Sequence, residues 1–522
     1  EAQFNLALAL SQSGAKEPAV TWYQRSLRQA PSLIEGWNNL GDLFMSLGDE
    51  ESAEIAFKEA ISRDASNAMA RVNLANLLRE QKELQSAQAL LHTALILQPN
   101  LAEAFGNLGN IQRDVKEYAK ADLAYARALG ISPTFADAHS NRGNLLREMG
   151  RYDDAIRAHH KAICLRPDFT NAYYNLGVTA YRAGNLKNAH ESYGRAIQLR
   201  PDFSEAQLSQ GFLYLSEGGY AEGWPLYEWR FQHRDFRLQR RVGHAPEWDG
   251  STSLKGKVVL LYAEQGLGDT IQFSRYAEVI ERMGAQVILE VQSSLLGLLD
   301  GIGKHIQVLA SGASIEGFDY QIPLMSLPYL LQTSAETIPA CPTGLSPTHE
   351  LVDEWMSHLG ERRKPRVGLV LSGNPNHVND ELRSISWEVS ANLLSDDFEF
   401  ICLQKEIRER DRDFIKRTES VSTYAELIND FQDTAALCTL MDVIVTVDTS
   451  VAHLAASLGV PTWILLPTMP DWRWLIDRQD SPWYPTVRLF RKGGGEAWEE
   501  LFLTIRNELE NLLASSNSKL MM

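Results

Sequence analysis

Asparagine, alanine and proline recur every 34 positions through the first two hundred residues of this 522-residue chain. A fixed period of this length predicts a stacked solenoid, because each unit buries its apolar face only against its neighbours. Such solenoids offer a long surface to partners. The rest of the chain lacks the period, so we expect a different fold there. The asparagines are Asn5, Asn39, Asn73, Asn107, Asn141 and Asn175; the alanines are Ala19, Ala53, Ala87, Ala121, Ala155 and Ala189; the prolines are Pro31, Pro99, Pro133, Pro167 and Pro201, with Ala65 in the gap.

Composition bounds the class of protein. Length predicts two or three domains, and 44% hydrophobic residues supply ordinary cores. A net charge of −17 argues against a nucleic-acid binder, which needs a basic face. Four cysteines in no zinc or disulfide pattern favour a reducing compartment, and we expect a cytoplasmic protein. The sequence has no apolar run of membrane-spanning length. It starts at Glu1, inside the first repeat, so we expect that the natural N-terminus is longer.

Each repeat reads as two helices separated by a turn. In the fifth, Leu145 and Leu146 keep helical spacing, Gly150 breaks the chain, and a second helix starts near Tyr152. This pattern resembles the tetratricopeptide repeat, with Asn-Leu-Gly at positions 39–41, 107–109 and 175–177. Six clear units cover residues 1–202 and a degenerate seventh covers about 203–236, so we assign 1–236 to the repeat domain.

The asparagine row has two interpretations. The amides could brace neighbouring repeats, or they could form a ladder that binds an extended polypeptide, since each amide both donates and accepts hydrogen bonds. The layout resembles the repeat superhelix of protein O-GlcNAc transferases, and that resemblance implies a polypeptide substrate along the six asparagines.

After the repeats, the sequence pattern predicts alternating strands and helices. The run 258–262 predicts a strand that feeds the loop Glu264–Asp269 and then a helix, and 287–291 predicts a second strand. A new series begins at 367–371, with further strands at 400–403, 443–447, 462–466 and 487–490 and helices at 434–441 and 451–458. We therefore predict two doubly wound α/β units, with a ligand crevice at the carboxyl ends of their strands. The predicted boundaries are a connector at 237–256, subdomains at 257–350 and 351–495, and a C-terminal helix and tail at 496–522.

The sharpest local motif follows the predicted strand 443–447. Asp448 ends the strand, Thr449 and Ser450 stand where a helix begins, and His453 lies on its first turn. Free amides at a helix N-terminus bind anions, so this motif suits a diphosphate. The alternative is that a hydroxyl only caps the helix and His453 packs in the core.

Other polar clusters also follow predicted strand ends, where such folds place their ligands. Gly-Leu-Gly-Asp at 266–269 is a second anion-binding candidate, although Asp269 could be a simple helix cap. The cluster 470–474 holds two tryptophans around Arg473; these could stack on a base or sugar, but we favour a buried anchor. The remaining candidates for nucleotide-sugar binding are Gly266, Gly268, Ser372, Asn374, Arg383, Gln404 and Lys405.

These motifs together resemble the two-domain GT-B glycosyltransferases, in particular heptosyltransferases and bacterial transferases near O-GlcNAc transferase. The resemblance covers about residues 255–515. It implies that Asp269, after Gly268, is the catalytic base, and that Asp448, Thr449 and His453 contact the donor diphosphate, with Ser450 in place of the family's glycine. Arg383 matches the family's basic residue only loosely.

The resemblance implies an inverting transfer without a metal or other cofactor. The donor would be a UDP-, ADP- or GDP-linked sugar whose diphosphate is held by Arg383, Lys405, His453 and the helix start. The metal-binding Asp-x-Asp pattern occurs once, at 411–413, and we interpret this segment as a solvated helix face.

Three functions fit the sequence. The leading one is a glycosyltransferase that modifies a polypeptide held by the repeats. The second is a transferase for a glycan or lipid-linked sugar, with the repeats docking a partner protein. The third is a scaffold whose α/β half only binds nucleotide. The sequence leaves the oligomeric state open.

Overall fold

The computed structural model describes residues 2–233, 240–241, 245–377, 380–493 and 497–520, with side chains described as far as Leu512. The chain divides into two compact units, Glu1–Pro201 and Asp202–Met522. Part of the predicted connector, residues 237–239 and 242–244, lies outside the described residues. The domain boundaries predicted at 236, 350 and 495 stay predictions.

Residues 2–201 form an α-solenoid of tetratricopeptide repeats, as predicted. First helices of successive repeats contact one another, as do the two helices within each repeat. Gly48 and Gly150 end first helices with positive φ angles, 79° and 73°, which glycine adopts without a Cβ clash. The helices are α1 (Ala2–Gln12), α2 (Lys16–Gln29), α3 (Ile34–Leu47), α4 (Glu50–Arg63), α5 (Ala68–Glu80), α6 (Leu84–Leu97), α7 (Ala102–Asp114), α8 (Tyr118–Ile131), α9 (Ala136–Glu148), α10 (Tyr152–Leu165), α11 (Thr170–Arg182) and α12 (Leu186–Leu199).

A glycine on the first helix of a repeat lets a ring from the second helix pack directly on the backbone. A Cβ at Gly109 would lie 2.7 Å from Tyr125, and a Cβ at Gly177 would lie 2.6 Å from Tyr193. The periodic alanines are fully buried beside these rings. Because interiors are close-packed, this glycine–ring pairing sets the spacing of the two helices.

The second unit begins with two more helices, α13 (Ser204–Ser216) and α14 (Tyr220–Tyr227). They correspond to the predicted degenerate repeat, but they belong to the same compact unit as the α/β part. Trp224 of α14 is buried, and its Nε1 donates to the carbonyl of Thr333 at 2.9 Å. This pair of helices therefore packs on the α/β part as part of one core.

The first sheet has four parallel strands in the order β3-β2-β1-β4 within residues 258–323. The strand between 258 and 262 and the one at 286–291 were predicted, whereas those at 306–310 and 320–323 were not. The elements are β1 (Val258–Tyr262), α15 (Leu267–Phe273), α16 (Arg275–Arg282), β2 (Gln286–Val291), α17 (Leu296–Leu299), β3 (Ile306–Ala310), β4 (Tyr320–Pro323), α18 (Leu327–Leu330) and α19 (His349–Leu359).

The second sheet has six parallel strands in the order β10-β9-β8-β5-β6-β7 within residues 366–491. The helix α24 packs its apolar residues into the core of this sheet, as predicted. The elements are β5 (Arg366–Val370), α20 (Asp380–Arg383), β6 (Glu399–Cys402), α21 (Glu409–Arg417), β7 (Val421–Thr423), α22 (Phe431–Thr439), β8 (Val443–Val447), α23 (Ser450–Ser457), β9 (Thr462–Leu466), β10 (Val487–Arg491) and α24 (Trp498–Leu520).

Each sheet has a point where the strand order reverses. In the first sheet it lies between β1 and β4, and in the second between β5 and β8. Ligands of open parallel sheets bind outside the carboxyl ends of the strands at such points. We therefore expect a ligand site at the loops that follow β1, β5 and β8.

Candidate functional site

The loop after β1 and the loop after β8 meet at Gly268. A Cβ at this position would lie 2.9 Å from Cδ2 of His453 and 3.3 Å from the Cα of Ser450. The helices α15 and α23 that these loops open are in contact. The absence of a side chain at Gly268 thus lets the two sheets bring their switch-point loops together, as the sequence predicted for Asp269 and the 448–453 motif.

Asp269 lies at this junction with both carboxylate oxygens hydrogen-bonded. Oδ2 accepts from the backbone N–H of Gly266 at 2.9 Å, which caps the start of α15. Oδ1 accepts from Nη2 of Arg473 at 2.5 Å. The side chain keeps 21% of its surface exposed. Burial raises the pKa of Asp269, and the charge of Arg473 opposes that rise. The cap interpretation is therefore correct for one oxygen, and the other faces the second half of the site.

Arg473, in the segment after β9, joins the second sheet to the loop and helix after β1, and the sequence analysis assigned it no role. Its Nη1 donates to Oδ1 of Asp471 at 2.9 Å, and its Nε donates to Oε1 of Gln272 at 2.9 Å. The guanidinium lies 4.3 Å from the ring centre of Trp472. It is a nearly buried cation with fixed partners, the kind of group that can stabilise developing negative charge. The signal in the sequence was an aspartate, Asp471, followed by an arginine between two tryptophans, shortly after a strand.

Asp448 follows β8 on the other side of the junction. Its backbone carbonyl accepts from Nη1 of Arg383 at 2.7 Å, which places Arg383 between the ends of β5 and β8. Burial, with a further contribution from Asp471, raises the pKa of the Asp448 carboxyl to about 6, although Arg383 and Arg473 act in the opposite direction. The structure thus brings Asp448 and Arg383 to the same crevice as Asp269.

His453 is mostly enclosed, with 5% of its side chain exposed. Its Nδ1 is 2.9 Å from the hydroxyl of Tyr484, and its ring stacks on Trp474 with centroids 5.2 Å apart. Its Nε2 is 3.9 Å from Oδ1 of Asp448. Burial and the neighbouring arginines lower the pKa of His453 well below its usual value, so the ring is neutral near pH 7. It packs beside Asp448 and Gly268, but it adds no positive charge for a diphosphate.

The start of α23 carries unused backbone donors. Thr449 is the residue before the helix, and its side chain does not cap it; its Oγ1 lies 3.3 Å from Oγ1 of Thr446 instead. Ser450 is the first helical residue and is half-buried. An anion can therefore receive hydrogen bonds from the first amides of this helix, at the crevice beside Asp448.

Two of the predicted donor-binding residues form a buried brace between β5 and β6. Oε1 of Gln404 accepts from the N–H of Leu371 at 2.8 Å, and its Nε2 donates to the hydroxyl of Ser372 at 2.7 Å. Trp387 donates to the same oxygen at 3.2 Å. These contacts hold the strand ends in place. A direct role of Gln404 and Ser372 in donor binding stays a prediction.

Two others lie on the surface. Asn374 is exposed, and its Oδ1 accepts from the N–H of Asn376 at 2.9 Å in a tight turn. Lys405 is exposed and donates to the carbonyl of Asn429. Neither is joined to Asp269 by the contacts described above, and their roles also stay predictions.

The 411–413 segment differs from its interpretation as a solvated face. It lies on a helix, α21, as expected, and Asp413 is exposed. Asp411, however, is 1% exposed, and its Oδ1 accepts from the N–H of Trp387 at 3.0 Å. The prediction was wrong for Asp411 because its carboxylate, in the first turn of α21, also accepts from the backbone N–H of Trp387 at the start of the 3-10 helix Trp387–Asn392.

The tryptophans of the 470–474 cluster are buried anchors, as favoured from the sequence. Trp472 and Trp474 are 3% and 0% exposed, and Trp483 and Tyr484 are buried beside them. Trp472 packs edge-on against Trp224 of α14 with centroids 5.3 Å apart. This aromatic cluster holds the backbone of Arg473 in place.

The asparagine row lies on the first helices of the repeats. Asn5 is exposed, and the other five are half-buried. Asn73 donates to Oδ1 of Asp42 at 2.9 Å, whereas Asn39 and Asn175 make only long contacts, 3.5 Å to Tyr23 and 3.4 Å to Ser140. One member thus braces a neighbouring repeat, and the ladder interpretation of the row stays a prediction.

Within the described ranges, no group of three or more His, Cys, Asp or Glu side chains is placed to hold a metal ion. No helix in these ranges has the length and apolar character needed to cross a membrane. All four cysteines, Cys164, Cys341, Cys402 and Cys438, are free thiols. The cytoplasmic location stays a prediction.

Comparison with protein families identifies the class to which the first unit belongs. Tetratricopeptide-repeat models match residues 34–67, 102–135 and 170–203, and a TPR-repeat model matches 143–184. The first unit therefore contains tetratricopeptide repeats, and the chain continues into an α/β unit with two parallel sheets.

The chain is similar to protein FlbA of Caulobacter vibrioides. The chain is 26% identical to FlbA over 335 residues, which cover 59% of this chain and 55% of FlbA. The match is longer than the first unit of 201 residues, so the similarity extends into the second unit. The chain spans about half the length of that relative.

Similar solved structures match the repeats. YrrB, described as a TPR protein with an unusual peptide-binding site, is 22% identical, with 36% of this chain and 97% of YrrB covered and a TM-score of 0.26. The Cut9–Hcn1 assembly of APC/C is 14% identical, with 43% and 45% covered and a TM-score of 0.40.

Proposed function

We propose that the chain is an inverting, metal-independent glycosyltransferase that moves a sugar from a nucleotide-sugar donor to an acceptor hydroxyl on a polypeptide held by the repeats. The observation that supports this most directly is the meeting of the loops at Gly268. It joins a carboxylate from the first sheet, Asp269, to an anion-binding helix start and arginines from the second.

The chemistry needs a base on one side and charge stabilisation on the other. The acceptor oxygen attacks C1 of the donor sugar, the bond from C1 to the phosphate oxygen breaks, and the hydroxyl proton passes to Asp269. The leaving diphosphate gains negative charge, which the amides of α23 and the guanidinium of Arg383 would stabilise. Since His453 is neutral, we assign it a packing role at the junction beside Gly268 rather than charge neutralisation.

Arg473 accounts for how Asp269 stays available as a base. Burial by itself favours the protonated carboxyl, and the cation at 2.5 Å favours the ionised form. A raised pKa that is partly compensated suits a general base near neutral pH. The proposal requires the acceptor to approach the carboxylate along the part of its surface that is exposed.

We propose a metal-independent reaction because the Asp-x-Asp pattern has a carboxylate that is already hydrogen-bonded within the protein. The Asp-x-Asp pattern lies at 411–413, and the Asp411 carboxylate is buried against the N–H of Trp387. Fixed arginines lie at the crevice instead. The proposal of a polypeptide acceptor is supported by the row of half-buried asparagines, because their amides can hydrogen-bond to a peptide backbone.

One observation favours a second candidate, a nucleotide-binding scaffold without turnover. Both oxygens of Asp269 already accept hydrogen bonds, as they would in a purely structural carboxylate. A transferase for a glycan or lipid-linked sugar remains the alternative for the acceptor.

The test is nucleotide release from a panel of UDP-, ADP- and GDP-sugars, with unfolded polypeptide or an oligosaccharide as acceptor. We expect acceptor-dependent release that Asp269→Asn lowers by about 10²–10⁴-fold without loss of nucleotide affinity. Asp397→Asn, an exposed aspartate before β6, is the control for the same change of charge. Nucleotide binding without release would support the scaffold, and the absence of nucleotide binding would reject both candidates. Release only with oligosaccharide would reject the polypeptide acceptor.

A further inference from the structure

A cavity of about 210 Å³ lies in the second unit, at the carboxyl end of β4. It is lined by residues of α14, β4 and α18, of the turns that follow α14 and β4, and of the segments around 240 and 247. None of the residues that form the crevice at Asp269 lines it. Pockets for drug-sized ligands measure about 300–1,000 Å³, so this cavity has room for one small ring rather than for a nucleotide sugar.

Two carboxylates of the lining are held in place by the fold. Glu247 lies in a short segment that pairs with β4, where the N–H of Gln321 donates to the carbonyl of Pro246 at 3.1 Å. Glu228 accepts from the hydroxyl of Ser326 at 3.0 Å. The polar groups that a ligand would meet are therefore preorganised, which lowers the entropic cost of binding.

Every charged side chain of this lining has an opposite partner among the described residues. Arg240 forms ion pairs with both Glu247 and Glu228, and Glu228 also pairs with the buried Arg230. An anionic ligand would meet a guanidinium that is already neutralised, and a cationic ligand would meet carboxylates in the same state. The lining therefore favours a ligand without net charge.

The ion pair of Arg240 and Glu247 is reachable from solvent, since 44% and 32% of the two side chains are exposed. A guanidinium offers several N–H donors and a carboxylate offers several acceptor positions, so the pair can satisfy two neighbouring hydroxyl groups at once. Tyr329 of α18 adds an aromatic ring that is 41% exposed. The lining thus combines adjacent donors and acceptors with an apolar face.

A sugar ring matches both features, because adjacent hydroxyls surround it while its C–H groups form apolar faces. We propose that this cavity binds one uncharged sugar ring, with hydroxyls on Arg240 and Glu247 and a C–H face on Tyr329. The site is separate from the proposed donor crevice and does not depend on the transfer chemistry, since it takes the sugar without a nucleotide. The class of partner that it fits is a glycan with a neutral end unit.

The test uses the full chain and a panel of uncharged methyl pyranosides, observed by saturation-transfer NMR and by NMR titration. We expect at least one of them to bind with a dissociation constant on the order of 1 mM, as a small ligand with few contacts should. Cyclohexanol, which has the ring but only one hydroxyl, and methyl glucuronide, which carries a charge, should bind about 10-fold or more weakly. Saturating UDP, ADP or GDP should leave the sugar bound, because the cavity shares no residue with the donor crevice.

Substitutions at the rim of the cavity test the two contacts separately. Tyr329→Ala removes the ring and should lower the affinity about 5-fold or more, whereas Tyr329→Phe keeps the ring and should retain the affinity. Glu247→Ala removes the acceptor and should weaken binding by a similar factor. The matched controls are Met356→Ala, at another exposed side chain of the second unit, and Glu361→Ala, whose side chain is 81% exposed; both should bind like the unmodified protein.

Three outcomes would overturn the proposal. They are failure of the whole panel to bind at millimolar concentrations, unchanged affinity in Tyr329→Ala, and release of the sugar by a nucleotide, which would place the sugar in the donor crevice. None of these measurements uses nucleotide release from a donor, so the sugar site and the proposed transfer can fail independently.

Discussion

Asp269 and Arg473 lie 204 positions apart in the chain and are joined by a hydrogen bond of 2.5 Å. Asp269 belongs to the helix after β1, and Arg473 belongs to a 3-10 turn after β9. The pair therefore links the carboxyl ends of strands from the two sheets, β1 and β9. Its partners, Gln272 and Asp471, extend the link on both sides, so a change in the guanidinium acts on both halves of the crevice.

Replacement of Arg473 should change the pH dependence of transfer. Arg473→Gln removes the cation that opposes the raised pKa of Asp269, so that pKa should rise further. The base is active only when ionised, and activity is lost as pH falls through its pKa. The acid limb of kcat/KM should therefore move to higher pH in Arg473→Gln and less in Arg473→Lys, with kcat/KM reduced by about 10-fold or more near pH 7.

The control for this prediction is Arg488→Lys, at a partly exposed ion pair between Arg488 of β10 and Glu508 of α24. Its pH profile should match that of the unmodified protein. An acid limb that stays at the same pH in Arg473→Gln would show that Arg473 is not coupled to the group that titrates.

Gly268 should not tolerate a side chain. In Gly268→Ala the new Cβ would lie 3.3 Å from the backbone of Ser450, which cannot rotate away, and 2.9 Å from His453. The loops would have to separate by a few tenths of an ångström, at about 1–3 kcal/mol of stability. We expect a lower unfolding temperature and a greater loss in transfer than in nucleotide affinity. Gly194→Ala, on α12 with open space around it, is the matched control and should be neutral or stabilising.

The ionised carboxylate of Asp448 should lower the free energy of unfolding at neutral pH. Its folded-state pKa of about 6 is higher than the ~3.9 of an unfolded chain, so the folded state binds the proton more tightly and stability falls as pH rises between these values. Asp448→Asn should therefore be more stable at pH 7 by about 1–2 kcal/mol, with the difference shrinking toward pH 4. Urea unfolding followed by tryptophan fluorescence measures this unit, since ten of the twelve tryptophans follow residue 202. A difference that does not vary with pH would contradict the assignment.

The parts of the fold that repeat or alternate could be predicted from the sequence. The 34-residue period gave the helix pairs, and the buried runs at 258–262 and 443–447 gave strands with the expected loops. The strands at 306–310 and 421–423 were missed because they are short and partly exposed at the sheet edges, where no continuous apolar run marks them.

The site was predictable where one residue's local context was sufficient. Asp448 and Asp269 follow strands directly, and their loops could be recognised as anion-binding candidates. The role of Arg473 depends on partners 204 residues away, and the enclosure of His453 depends on Tyr484 and Trp474 from another loop. Such contacts are created by the tertiary fold, and no local pattern contains them.

In the described repeats, an aromatic ring of the second helix packs on the periodic glycine of the first helix, and His159 is the one histidine among these rings. A Cβ at Gly143 would lie 2.6 Å from its ring, as the ring of Tyr125 packs on Gly109 one repeat earlier. Tyr125 also donates to Oδ1 of Asn110 at 2.7 Å. At the equivalent place, Oδ1 of Asn144 is buried without a partner, and neither ring nitrogen of His159 has one.

His159→Tyr should therefore stabilise the repeats and remove a pH dependence. Its hydroxyl can make the hydrogen bond to Asn144 that its counterpart makes, for about 1–2 kcal/mol. Burial lowers the pKa of His159 to about 3, so below pH ~6.5 the unfolded chain binds a proton that the folded one does not, and stability falls by up to ~1.4 kcal/mol per pH unit. Thermal unfolding of the helices, followed by circular dichroism at pH 5 and 7, should show this loss in the unmodified protein and in the exposed control His160→Tyr. The loss should be absent in His159→Tyr and in His159→Phe, and only the tyrosine should add stability at pH 7. An equal loss in all four proteins would mean that another group titrates, because no variant that lacks the buried imidazole can lose stability through its protonation.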